Sequence, residues 1–286
     1  MTQTPAPHNS ILTFTCLDQA GIVHAVSGAI VAARGNILES QQYYSPETGM
    51  FFIRIQLEHD SDREELSACL APVARRFQAE ARVYEVTRPT RCLILVSTAP
   101  HCLNAILSRV TTGTLPLDVP LVLGNHPDLG ELAGFYGVPF EHHAVLSETK
   151  ADVEARIRQL VVEQDIELVV LARYMQILSP QLCDFLTGRA INIHHSFLPG
   201  FKGANPYRQA HARGVKLIGA TAHFVTADLD EGPIIEQSVT RVGHAKSVSQ
   251  LSEIGRDIES TVLAHAVRLF AEHRILLDGV RTVVFD

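Results

Sequence analysis

The chain reads as an α/β protein in two parts: a ferredoxin-like βαββαβ module, then a doubly wound parallel sheet. Three observations predict this. The stretch before residue 87 alternates short strand-like runs with two amphipathic helices in the order β-α-β-β-α-β. A short polar segment with a proline, Thr87–Arg91, interrupts the pattern. Beyond it, near-continuous apolar runs alternate with helical segments, as expected for parallel strands buried on both faces.

Taken in order, ILTFTC (Ile11–Cys16) alternates as a strand does, and LDQAG turns the chain. HAVSGAIVAARG (His24–Gly35) predicts a helix, with Val23, Val26 and Ile30 on a stripe beside Ala29 and Ala33 and Gly35 as its C-terminal cap. Two strands follow around a turn at Ser45–Gly49, which carries Pro46 and Gly49. Asp62–Glu80 is a second amphipathic helix, and ARVYEV closes the module with a strand. In the second part, Cys92–Ser97, Pro120–Asn125 and Glu167–Ala172 are the buried strands. His101–Val110, Leu129–Tyr136 and Ala151–Gln164 are the helices between them. A last long helix carries Ile254, Ile258, Val262 and Ala266 at spacing four, and ILLDGVRTVVF ends as a hairpin around Asp278–Gly279. The domains are therefore expected over 9–86 and 91–286, with 87–90 as linker.

Composition narrows the function classes. At 286 residues, 46% hydrophobic and 19% charged, the chain is expected to be folded and large enough for two domains. A formal charge of −7 leaves no basic face for phosphates, so nucleic acid is not the expected partner. No apolar run approaches the roughly 20 residues needed to span a bilayer, so no membrane partner is expected. Five cysteines without CxxC spacing fit reduced thiols better than a disulfide framework or zinc site. The start MTQTPAPHNS lacks the charged and apolar regions of a signal peptide, and a cytoplasmic location is expected.

The segment from Ala190 to Gln237 carries the chemistry. It supplies an amide donor in Asn192, an imidazole in His194 and a carboxylate in Asp230, the parts needed to collapse a tetrahedral intermediate at an amide-like carbon. Strand periodicity puts Asn192 and His194 on one side and turns His195 to the other. Among the fourteen histidines, the pairs His142–His143 and His194–His195 invite a metal, but neighbours on a strand point to opposite faces; no metal is expected.

From about Ile11 onward the chain resembles the formyltetrahydrofolate deformylase family. CLDQAGIVHAVSGAI and GNILESQQY look like an ACT domain, a ferredoxin-like module. NHPDL (Asn125–Leu129), LARYMQILSP (Leu171–Pro180), NIHHSFLPGFKGANPYRQA (Asn192–Ala210) and GATAHFVTADLDEGPIIEQ (Gly219–Gln237) are similar to a Rossmann-like formyltransferase domain.

The resemblance implies hydrolysis of 10-formyltetrahydrofolate to formate and tetrahydrofolate, balancing one-carbon pools and supplying formate for purine biosynthesis. It implies Asn192, His194 and Asp230 as the catalytic trio. Met175, Gln176, Ile177 and Leu178 would form the folate wall. Beside what the resemblance implies, His223 reads as a core histidine or one that supports the site, and Lys202 as a solvated lysine or one at the mouth of the pocket. Folate is the substrate and no cofactor is called for. The resemblance further implies a homo-oligomer and an amino-acid effector, methionine or glycine, near Asp18, Gly21 and Ile22 in the ACT-like half.

One departure is informative. Glycinamide ribonucleotide formyltransferase follows its first strand with a glycine-rich phosphate loop, whereas STAPHCLN (Ser97–Asn104) has no glycine and carries a proline. A phosphorylated amine is expected to bind poorly there, which leaves water as the nucleophile.

Overall fold

The computed structural model describes residues 8–60, 62–200 and 206–286. They divide into two compact units, one comprising Met1–Pro89 with Glu272–Asp286 and the other Thr90–Ala271.

The first unit runs β1 (His8–Leu17), α1 (Ile22–Ala32), β2 (Gly35–Tyr44), β3 (Met50–His59), α2 (Arg63–Phe77) and β4 (Glu80–Glu85). Its antiparallel sheet has the order β2-β3-β1-β4, the ferredoxin-like arrangement. Alternate residues of β1 and β3 (Leu12, Phe14, Ile53, Ile55) bury themselves with Val26, Ile30, Leu66 and Leu70 of the helices. The Asp62 side chain caps α2 by accepting from the Glu65 N–H at 2.7 Å. Glu64 and Glu65 in the first turn and Arg75 and Arg76 in the last complement the helix dipole.

Helix α1 departs from expectation at both ends. It starts at Ile22, which takes the inner stripe and leaves Val23 47% exposed. Gly35 is not its cap but the first residue of β2; Arg34, at φ 56°, makes the left-handed turn instead. Gly35 is required for another reason: a Cβ there would lie 2.8 Å from Ile30 Cγ2.

The hairpin of β12 (Ile275–Asp278) and β13 (Arg281–Val284) forms as predicted, but in the first unit rather than with residues 91–271. The other face of the sheet requires it. Phe52 packs with Val283 and Phe285. Asp278 accepts from Ser45 Oγ at 2.7 Å and Thr48 Oγ1 at 2.6 Å. Arg54, 2% exposed, donates to the Glu272 carbonyl and pairs with Glu39 at 3.1 Å. A buried arginine needs such partners; the tail supplies the carbonyl and β2 the carboxylate.

The second unit contains β5 (Thr90–Val96), α3 (His101–Thr111), β6 (Leu117–Gly124), α4 (Gly130–Phe135), β7 (Phe140–His142), α5 (Lys150–Glu163) and β8 (Leu168–Ala172). It continues with α6 (Pro180–Phe185), β9 (Ala190–His194), α7 (Pro206–Ala212), β10 (Leu217–Phe224), β11 (Ile234–Arg241) and α8 (Val248–Ala271). The sheet order is β11-β10-β9-β8-β5-β6-β7. Strands β9 to β7 are parallel, as predicted, but β10 and β11 are antiparallel, so the sheet is mixed. The connection 225–233 between them is too short for a parallel crossover.

Val153, Ile157, Leu160 and Val161 of α5 cover one face, as their spacing predicts. On α8 the predicted stripe is half right. Val262 and Ala266 are buried, but Ile254 and Ile258 are half-buried, and the inner line begins Leu251, Gly255, Glu259. A buried carboxylate on that line is what apolar periodicity cannot count. Among the described residues no helix is long and apolar enough to cross a membrane.

Candidate active site

Strand order reverses at β5, whose neighbours are β6 on one side and β8 on the other. The carboxyl ends of strands at such a point leave a crevice where an α/β sheet binds ligands. Here a cleft of about 480 Å3 opens along Leu171–Leu178 after β8, Asn192–His195 at the end of β9, and Val225–Asp230 after β10.

Register explains the pairs inside it. Asn192 on β9 lies opposite His223 on β10, and the Asn192 Nδ2 and His223 Nε2 atoms are 3.3 Å apart. His223 Nδ1 sits 2.8 Å from the Phe224 carbonyl, which can only accept, so Nδ1 carries the proton and Nε2 accepts from Asn192. Burial lowers the His223 pKa. One Asn192 amide proton is thereby engaged, and the side chain is oriented with its second proton still to give. His223, expected to support the site, stands directly behind Asn192.

His194 Nδ1 lies 3.1 Å from Asp230 Oδ2. His194 Nε2 is buried and has no partner among the described residues. Burial works against ionising Asp230, yet the His194 hydrogen bond and charge, with His223 and His195 nearby, hold its carboxyl below the usual range. A carboxylate therefore fixes one imidazole nitrogen while the other is left to act in the cleft. Asp230 adopts φ 57°, and Gly232 sits so close that a Cβ would fall 1.7 Å from the Phe224 carbonyl oxygen. Phe224 N–H donates to the Pro233 carbonyl at 2.9 Å, closing this turn. Gly232→Ala is expected to lower turnover at least about 100-fold by moving Asp230, since a misplacement near 1 Å costs that much. Steady-state rates with a folded variant check this.

The expected wall residues line the cleft, each differently. Met175 and Ile177 are 58% and 61% exposed at its mouth, Gln176 is half-buried, and Leu178 belongs to the core beneath. The Met175 N–H donates to Ser97 Oγ at 2.9 Å and anchors the segment to the end of β5. Lys202 lies outside the described residues. In the first unit, Gly21 precedes α1 at φ 93° and Asp18 is exposed, but the Ile22 side chain is buried in the core, so it offers a ligand only its main chain.

His195 departs from expectation. Strand β9 ends at His194, so alternation no longer governs the next residue. His195 lines the same cleft and its ring stacks on His194, with centroids 5.1 Å apart. Its Nδ1 accepts from Arg173 Nη1, and its Nε2 is buried without a partner among the described residues. Burial and the Arg173 and His194 charges push it down to about 4.

Sequence reasoning passed over what lies beneath. Glu259 of α8 is 1% exposed and holds three groups: His101 Nε2 at 2.8 Å, Tyr207 Oη at 2.6 Å and Arg173 Nε at 3.4 Å. Gly255, one turn earlier, makes room for the Tyr207 ring, whose Oη a Cβ would meet at 2.0 Å. Burial opposes ionisation of Glu259, but His101, Arg173 and Tyr207 together hold its pKa below the ordinary value. His101, Cys102 and Glu259 bring potential metal ligands within 4.8 Å of one another. The carboxylate of that group is already engaged by His101, Tyr207 and the Arg173 guanidinium, as in a buried ion-pair network. A glycine and a glutamate at spacing four on a long helix were the available signal.

Residues 90–267 match the family model described as formyl transferase. The formyltetrahydrofolate deformylase of Corynebacterium sp. (strain P-1) is 46% identical over 277 residues, covering 96% of this chain and 97% of that one. The crystal structure of formyltetrahydrofolate deformylase from Burkholderia mallei matches with a TM-score of 0.94 at 47% identity, covering 98% of this chain and 100% of that one. Glycinamide ribonucleotide transformylase 1 from Symbiobacterium toebii matches with a TM-score of 0.65 at 34% identity, covering 70% of this chain and 95% of that one. The likeness to the deformylases thus extends over nearly the whole length, and the chain belongs to the formyltetrahydrofolate deformylase family.

Proposed function

We propose that the protein hydrolyses 10-formyltetrahydrofolate to formate and tetrahydrofolate, and so balances one-carbon pools and supplies formate for purine biosynthesis. The observation that carries this reading is the His194–Asp230 pair at 3.1 Å, with the second imidazole nitrogen unpartnered among the described residues and in a cleft with an apolar mouth.

In this reading Met175, Ile177 and Leu229 cover the ring system and its linker, and Gln176 and main-chain groups satisfy polar edges. The formyl oxygen lies against Asn192 Nδ2 and His194 Nε2. Water oxygen bonds to the formyl carbon, and the carbonyl electron pair moves onto the oxygen, where these two donors stabilise it. Asp230 Oδ2 is engaged by His194, so Oδ1 takes one proton from the water. As the carbon–N10 bond breaks, its electron pair goes to N10, which receives that proton. Tetrahydrofolate leaves, and formic acid ionises to formate.

Water rather than an amine is favoured by the end of β5. Its hydroxyl, Ser97 Oγ, already accepts from Met175, and His101 at the start of α3 is tied to Glu259. No glycine loop offers free N–H groups to a phosphate there. Incubating the protein with 10-formyltetrahydrofolate and no amine tests the reading: formate and tetrahydrofolate should appear in equal amounts, and silence until an amine is supplied would overturn it.

The first unit fits an ACT-like module that binds methionine or glycine near Asp18 and Gly21 and holds a homo-oligomer together. Support comes from its βαββαβ order and the start of α1, where no side chain among the described residues caps the helix. Methionine or glycine is expected to shift the melting temperature or the rate, measured by thermal denaturation and formate release. No change with either would leave only an assembly role.

A further inference from the structure

We infer that His195 is a further catalytic residue: its Nε2–H donates to the oxygen of the attacking water and holds it beside Asp230. This deepens the hydrolase reading and rests on it. The guanidinium of Arg173 can only donate, so the His195 Nδ1 it meets must be the acceptor, and in the neutral ring the proton sits on Nε2. The ring is neutral at pH 7, pushed down to about 4 by burial, Arg173 and His194.

That leaves a donor which is buried, unpartnered among the described residues and carried by a residue of the cleft wall. At 8% exposed, such a group is costly to leave unmet, and an oxygen entering the cleft meets it. Two donors, Asn192 Nδ2 and His194 Nε2, already serve the formyl oxygen. His195 and Asp230 both line this cleft, on either side of His194, whose ring stacks on His195 at 5.1 Å and whose Nδ1 lies 3.1 Å from Asp230 Oδ2. A water there accepts from His195 and donates to Asp230, so one molecule satisfies both groups. The tautomer is set at a distance by Glu259, whose carboxylate lies 3.4 Å from Arg173 Nε; Arg173 and Glu259 are positioning residues.

Two variants separate the donor from the ring. His195→Phe keeps the stack on His194 without the N–H, and His195→Gln replaces the ring by an amide that carries N–H at similar reach. Wild-type protein serves as the control for formate release without amine. In His195→Phe, kcat is expected to fall by about tenfold or more, as loss of a hydrogen bond to a reacting group does. KM for the folate should stay within about twofold, because the substrate's own contacts are kept. His195→Gln should recover most of the lost kcat. Unchanged kcat in His195→Phe, equal losses in both variants, or a loss carried by KM would each overturn the assignment. A wild-type protein that releases no formate would bring down the hydrolase reading itself, a failure visible before any variant is compared.

Discussion

Asp230→Asn is expected to lower kcat by about 10,000-fold while the protein stays folded, the scale seen when a carboxylate that orients a catalytic imidazole becomes an amide. Two functions are lost together. The amide no longer fixes the Nδ1 proton of His194 through a charged hydrogen bond, now 3.1 Å long, and it no longer accepts a proton from water. His194→Ala removes the donor at the formyl oxygen and should also abolish measurable turnover. Formate release under saturating substrate measures both, with circular dichroism to show that the fold survives. Activity within about tenfold of wild type in either variant would be incompatible with the mechanism.

The largest stability effect is expected at Glu259→Gln. Three groups depend on this carboxylate, and the Arg173 guanidinium, with 17% of its side chain exposed, would be left without its counter-charge. Breaking a buried pair from one side costs about 3–5 kcal/mol. For a unit of this size that corresponds to a fall in Tm of about 6–20 °C. The pH dependence has a definite sign. The folded pKa of Glu259 is depressed, so its contribution is complete above the unfolded value near 4.3 and is lost as pH falls through the folded one. Wild type should therefore lose stability on the acid side more steeply than Glu259→Gln. A Tm within about 2 °C of wild type at neutral pH would show that the network contributes little.

Much of the architecture was legible because its elements carry their own periodicity. Runs such as Leu168–Ala172 are apolar throughout, and α5 places Val153, Ile157, Leu160 and Val161 on one face, so strand and helix could be told apart. Asn192 and His194 share a side by strand periodicity, but Asp230, on the loop after β10, was legible as their partner through the motifs shared with the family.

What stayed hidden has two physical sources. Long-range pairing leaves no local trace: the hairpin at 275–284 belongs to the first unit because Phe52 and Arg54 lie on a sheet face that needs cover. Buried polar contacts are equally silent. Glu259 sits on an inner helix line that apolar spacing assigns to Ile254 and Ile258, and Arg173 reaches it from a loop at φ 63°. His195 was turned the wrong way because strand alternation was carried one residue past the end of β9.

Turnover of 10-formyltetrahydrofolate in heavy-oxygen water, without any amine, tests the central claim most directly. Formate should carry one oxygen from the solvent per turnover and appear in step with tetrahydrofolate. Formate without solvent oxygen, or a formyl group recovered only on an added amine, would contradict a water-attacking site.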